Sequence, residues 1–176
     1  MVKSAIRDDN PVLLLEHELV YGDSFPISEK ALSKDFLVPF GKARIMREGE
    51  NVTITASSIS VKKALAAAAM LEKEGISTEV INLRCLRPLD TETILSSVKK
   101  TRRLVSVEEG WPQNGVGAEM CALFMERNRF YELDAPVERV TGADVPMPYA
   151  KELEEKCTPS PEDIVKACKR TLHKDT

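Results

Sequence analysis

The residues best suited to chemistry lie in Leu104–Ala118, LVSVEEGWPQNGVGA. Two adjacent acids, Glu108 and Glu109, lead there into the only tryptophan, Trp111, and a Gly115-x-Gly117 pair. Either acid could act as a general base or a ligand, but neighbouring side chains of an extended segment point to opposite sides, so the two cannot share one proton. The preceding Leu104–Val107 reads as a short buried strand. From Ala118, Met120, Leu123 and Phe124 recur at helical spacing. A strand passing through a glycine-rich turn into a helix is the half-unit of an open α/β sheet, whose sites cluster at strand carboxyl ends. Equally, the glycines can serve only to bring helix and strand close together. The third glycine of a dinucleotide fingerprint and a Walker lysine are both missing, which leaves a small α/β enzyme with a site at 108–117 as the alternative reading.

Elsewhere the inventory for catalysis is poor. His17 sits in an apolar arm and His173 near the C-terminus, and neither has the serine, cysteine or carboxylate neighbours that a nucleophile would require, so both are expected to be non-catalytic. Asp8-Asp9-Asn10-Pro11 reads either as a turn before proline or as an oxygen-rich cation site. Cys85, Cys121, Cys157 and Cys168 lack metal-ligand spacing and are expected to be reduced thiols.

The 176 residues suit one ordinary domain with an appended arm, and 43 % hydrophobic with 30 % charged residues is a globular balance. The net charge of −3 argues against a nucleic-acid surface, and no apolar run is long enough to span a bilayer. The N-terminus resembles neither a signal nor a transit peptide.

These residues need elements to position them. Val12–Leu15 predicts a strand buried on both faces, although the next thirty residues offer it no sheet. Tyr21–Phe40 predicts a connection. Gly49-Glu50-Asn51 predicts a hairpin turn pairing Ala43–Arg47 with Val52–Ala56. A helix is predicted over Val61–Glu74, with Leu65, Ala68, Ala69 and Leu71 inward and Gly75 closing it. Strand Thr78–Leu83 follows, then a helix Thr93–Thr101 capped by Asp90 or Thr91. Its basic end, Lys99, Lys100, Arg102 and Arg103, reads as solvated. Val137–Thr141 is edge-like, Gly142–Tyr149 extended and Ala150–Lys156 a short helix. Ser160-Pro161-Glu162 opens the last helix, with Ile164, Val165, Cys168 and Leu172 inward. The order predicts an α/β fold of three layers, α/β/α, around a mostly parallel sheet.

Four stretches go further: SAIRDDNPV at Ser4–Val12, VINLR and LRPLD within Val80–Asp90, EEGWPQNGVGAE at Glu108–Glu119, and VTGADVPMPYA at Val140–Ala150. Together they resemble the β subunits of the pyruvate dehydrogenase E1 component, a thiamine-diphosphate family of the transketolase-like group. Branched-chain 2-oxoacid E1 β subunits differ in the last two stretches, which favours pyruvate, with another 2-oxoacid dehydrogenase as the alternative.

The resemblance implies that residues 1–37 correspond to the last helix and strand of a pyrimidine-binding domain plus linker. Residues 38–176 then correspond to a transketolase C-terminal domain. It implies oxidative decarboxylation of pyruvate and acetyl transfer to lipoyl groups in the intact enzyme. Thiamine diphosphate and magnesium would be held outside this chain, leaving it without catalytic or cofactor residues and inactive alone. Ala5, Ile6, Asp8 and Asn10 match positions that bind potassium. Asp134 matches an acid that docks a basic residue of the dihydrolipoyl acetyltransferase subunit-binding domain, and the family's C-terminal end joins that contact; here the chain continues as Leu172–Thr176. The implied partners are an E1 α subunit, a second E1 β subunit and the acetyltransferase, with neither nucleic acid nor membrane. The implied compartment is the mitochondrial matrix or bacterial cytoplasm.

Overall fold

Val52–Ala56 buries all five of its side chains, as a strand covered on both faces must. It is the centre of the fold in a computed structural model that describes residues 1–174. Two short helices come first, α1 (Val2–Ile6) and α2 (Glu29–Leu32), followed by β1 (Arg44–Arg47), β2 (Val52–Ala56), α3 (Ile59–Glu72) and β3 (Thr78–Asn82). Then come α4 (Thr91–Thr101), β4 (Leu104–Val107), α5 (Val116–Glu126), β5 (Glu138–Val140), α6 (Lys151–Cys157) and α7 (Pro161–Thr171). The sheet order is β1-β3-β2-β4-β5; only β1 runs antiparallel.

The pleat sends alternate side chains of β2 to two different layers. Val52, Ile54 and Ala56 join one core with Val61, Ala64, Ala68 and Leu71 of α3 and with Ile164 and Cys168 of α7. On the other face Ile81 and Leu104 pack with Ile94, Leu95 and Val98 of α4 and Met120, Leu123 and Phe124 of α5. Each fully buried Leu, Ile or Phe contributes about 1.5–3 kcal/mol, so these two layers hold the sheet. Thr53 faces α4 and shares its hydroxyl with Ser97 and Thr101, 2.6 Å from each.

The helix starts follow the capping chemistry of the sequence. Asp90 accepts the Thr93 amide at 3.3 Å and also the Ala43 amide at 2.9 Å, fixing the entry to β1. Ser160 and Asp163 form a reciprocal capping box with Pro161 in the first turn of α7. The three-layer α/β/α fold with a mostly parallel sheet is as expected.

Three expectations fail. Val12–Leu15 is in no strand, and Leu13 and Leu15 are 93 % and 86 % exposed. An apolar run becomes a buried strand only where a neighbour completes its ladder, and none of the five strands pairs with this one. The hairpin between β1 and β2 does not form either, because β3 lies between them. The Glu48–Asn51 link crosses the start of β3. There the Gly49 amide donates to Glu79 at 3.3 Å and the Asn51 amide to Ser77 at 2.8 Å. A Cβ on Gly49 would lie 2.1 Å from the Thr78 carbonyl carbon, so the crossing requires glycine. Finally, Ala69 is exposed; the inner face of α3 is Ser60, Val61, Ala64, Ala67, Ala68 and Leu71, and the helix begins two residues early, at Ile59.

Candidate functional site

At the end of β4 the two acids part company, as an extended chain dictates. Glu108 turns back onto the start of α5, accepting the Val116 amide at 2.7 Å and the Gly117 amide at 2.9 Å. A carboxylate on the positive end of a helix dipole is favourable, and here it satisfies two amides that have no intrahelical partner. Both glycines answer to this carboxylate. A Cβ on Gly115 would sit 2.5–2.7 Å from it, and one on Gly117 would sit 2.9 Å from Glu108 Oε1. Arg139 approaches to 4.0 Å and donates to the Pro112 carbonyl, tying β5 to the turn. The position that a phosphate takes at such a helix start is therefore filled by the chain's own acid. The turn does not suit a diphosphate, and the alternative of an enzyme site at 108–117 loses its anion-binding groups.

Glu109 points the other way. One oxygen accepts Lys63 at 2.7 Å and the other lies 3.2 Å from His17 Nε2. His17 Nδ1 accepts the Leu19 amide at 3.3 Å, which places the ring proton on Nε2, facing Glu109. The expectation that His17 lacks a carboxylate neighbour is thus corrected: the fold supplies one 92 positions away in sequence. Among the described residues no serine or cysteine side chain bonds to His17. With the Lys62–Asp23 pair at 2.8 Å it fastens residues 17–23 to α3 and the end of β4.

The expected potassium residues lie at the end of α1. Ala5 is half-buried, Ile6 is exposed, and Asp8 and Asn10 form one turn in which Asp8 Oδ1 accepts the Asn10 backbone and side-chain amides, both at 2.9 Å. Those bonds, the backbone one foremost, hold the Asp8 carboxyl below its ordinary pKa. The α1 segment is pinned to residues 31–38 by Lys3, Ser4 and Arg7, which donate to the carbonyls of Ser33, Val38 and Lys34. Among the described residues no group of three or more His, Cys, Asp or Glu side chains could hold a metal ion.

Asp134 follows a 3-10 turn, Phe130–Glu132, and is exposed. Its backbone amide donates to the Arg102 carbonyl at 2.8 Å. Arg102 Nε bonds Oδ1 at 2.8 Å, and Arg103 reaches Oδ2 at 3.5 Å. The Arg102 guanidinium holds the Asp134 carboxyl below its ordinary pKa. Beside it runs a groove of about 550 Å³ lined by Cys121, Met125, Phe130, Leu133, Pro136 and Val137. By sequence alone Arg102 and Arg103 read as solvated cations. Their signal was position, because residues just past a helix end face whatever segment packs beneath that end. Asp175 and Thr176, the end of the tail expected at this contact, lie outside the described residues.

Comparison with known proteins accords with this architecture. Residues 41–164 match the family model for the transketolase C-terminal domain. The mitochondrial pyruvate dehydrogenase E1 component subunit beta of Drosophila melanogaster is 58 % identical over 172 residues, 98 % of this chain and 47 % of that protein. Its counterpart in Bos taurus is 60 % identical over 173 residues, 98 % of this chain and 48 % of that one. In Pisum sativum the figure is 60 % over 174 residues, 99 % and 48 %. The chain spans about half the length of the curated relatives it matches. A solved chain described as a split gene transketolase, inactive beta4 tetramer, superposes with a TM-score of 0.69 at 32 % identity, covering 83 % of this chain and 46 % of that one.

Proposed function

The chain belongs to the transketolase C-terminal domain family, and from that membership we propose that it is the carboxyl-terminal assembly and docking domain of a pyruvate dehydrogenase E1 β subunit. The observation that carries the reading is identity of 58–60 % along nearly the whole chain to E1 β subunits of an insect, a mammal and a plant. In the intact enzyme the domain supports oxidative decarboxylation of pyruvate, for which thiamine diphosphate and magnesium would be held outside this chain. This chain's own work is contact: with an E1 α subunit, with a second E1 β subunit and, through Asp134, with the subunit-binding domain of dihydrolipoyl acetyltransferase. A β–β contact is supported by the related solved chain, described as a β4 tetramer. Residues 1–37 are the arm from a pyrimidine-binding domain and 38–176 the C-terminal domain. The exposed apolar side chains of the arm, Leu13, Leu15, Leu19 and Phe25 among them, are surface that another domain or subunit covers. The oxygen-rich Ala5, Ile6, Asp8 and Asn10 segment contributes ligands to potassium. The compartment is the mitochondrial matrix, supported by the mitochondrial names of the relatives.

Two measurements test this. Calorimetric titration with the isolated subunit-binding domain should show binding that weakens in Asp134→Ala, and absence of binding by folded wild-type chain would refute docking through this domain. An assay of pyruvate decarboxylation by the chain alone, with thiamine diphosphate and magnesium supplied, should give no turnover above the blank. Turnover would refute the assignment as a non-catalytic domain.

A further inference from the structure

Asp134 is already engaged inside the chain. Arg102 meets it through Nε at 2.8 Å while its NH2 donates to the Tyr131 carbonyl at 3.2 Å, so the guanidinium spans the turn that carries the acid. Its backbone is fixed as well. Arg102 closes α4 in the left-handed region, at φ 62° and ψ 10°, with its amide bonded to the Val98 carbonyl at 2.7 Å. Arg103 adds a second guanidinium 3.5 Å from the other carboxylate oxygen, and is itself held by the Thr171 carbonyl at 2.9 Å. The cluster carries two positive charges against one negative.

We infer that Arg102 is an internal competitor for the base that docks at Asp134 and thereby sets the selectivity of this face. The inference rests on the docking role proposed above for Asp134. An arriving ammonium or guanidinium meets a site that is net positive. It gains Asp134 only by sharing or displacing a bond the fold has preorganised. The acid therefore adds little attraction for an isolated base. The partner that fits brings its base together with an apolar side chain for the adjoining groove, where burial between Met125, Phe130, Leu133 and Pro136 supplies affinity the ion pair lacks. A purely basic segment is discriminated against, because it meets the two arginines with nothing to offset them.

The test uses the full chain titrated calorimetrically with the isolated subunit-binding domain of a dihydrolipoyl acetyltransferase. The variant is Arg102→Asn, since asparagine accepts the left-handed backbone that closes α4. The control is Lys99→Gln, an exposed cation of the same helix end that does not touch Asp134. Arg102→Asn should bind about three- to fivefold tighter than wild type, the scale of one exposed ion pair, with a melting temperature lowered by no more than about 2–4 °C for the same lost pair. Lys99→Gln should stay within about twofold, because only screened long-range charge is lost. If Arg102→Asn binds no tighter than wild type, or Lys99→Gln matches its gain, the competition is overturned. If wild type and both variants all fail to bind, the docking reading itself falls and this inference with it.

Discussion

Removal of the Lys100 ammonium, by Lys100→Met, tests how the start of β3 tolerates a buried acid. The Glu79 side chain is 1 % exposed and meets Lys100 Nζ at 2.5 Å, with the Gly49 amide 3.3 Å away as a second partner. Breaking a buried pair from one side costs roughly 3–5 kcal/mol when the remaining charge is sealed from water. Lys100 is 42 % exposed, so solvent reaches the vacated end and one amide bond survives; the expected loss is about 2 kcal/mol at pH 7. For a chain of this length that lowers Tm by about 4–8 °C. The sign with pH follows from the Glu79 carboxyl. Burial works to raise its pKa, but hydrogen bonds from Lys100, Ser97 and the Gly49 amide outweigh burial and leave it below its ordinary 4.5. A lowered folded-state pKa means stability that is complete above 4.5 and lost as the pH falls through the folded value. In Lys100→Met the main lowering bond is gone and burial dominates, so that carboxyl protonates earlier. Urea unfolding across a pH series should therefore show the wild-type advantage at pH 7 shrinking progressively in acid. The double variant Glu79→Gln, Lys100→Met should recover most of the loss. A gap that is the same at every pH, or absent at neutrality, would refute the assignment of a buried, cation-held carboxylate.

Further outcomes follow from the same geometry. Glu108→Ala strips the start of α5 of its acceptor and should cost about 1–2 kcal/mol in urea unfolding. Gly115→Ala should cost a similar amount because its methyl collides with that carboxylate, and the double variant should cost less than the sum by about 1 kcal/mol. Glu109→Gln weakens both the His17 and the Lys63 contacts, so amide hydrogen exchange at Leu19 should quicken by about fivefold while exchange in β2 stays put. An unchanged Leu19 would mean that the arm is held by something other than this cluster. Burial pushes the Cys168 thiol up to about 12. With Cys85 also buried, alkylation of native chain near pH 8 should label Cys121 and Cys157, and all four only in urea, as read by mass spectrometry. Early labelling of Cys168 would contradict the packing of α7 on the sheet.

Much of this architecture is local and hence legible from the chain. Short β-branched or apolar runs specify β2, β3 and β4, alanine content and apolar spacing specify α3, and Ser160-Pro161 with Asp163 specifies the start of α7, because caps and periodicity act within a few residues. The divergence of Glu108 and Glu109 was likewise dictated by strand geometry. The motifs at Glu108–Glu119 and Val140–Ala150 carried the family resemblance directly. What tertiary structure alone decided are the partnerships between distant segments. No local pattern says that β3 inserts between β1 and β2, since the glycine at 49 reads as a hairpin turn until the backbone of Thr78 is seen against it. The apolar run Val12–Leu15 is as good a buried strand as β2 by composition, yet burial depends on a neighbour to complete its ladder, and the five-stranded sheet offers it none. The Glu109–His17 and Asp134–Arg102 pairs are separated by 92 and 32 positions, and only the packing of the arm on α3 and of the 3-10 turn under α4 brings those charges within bonding distance. Charge pairing is a property of distance in space, which the sequence fixes only through the whole fold.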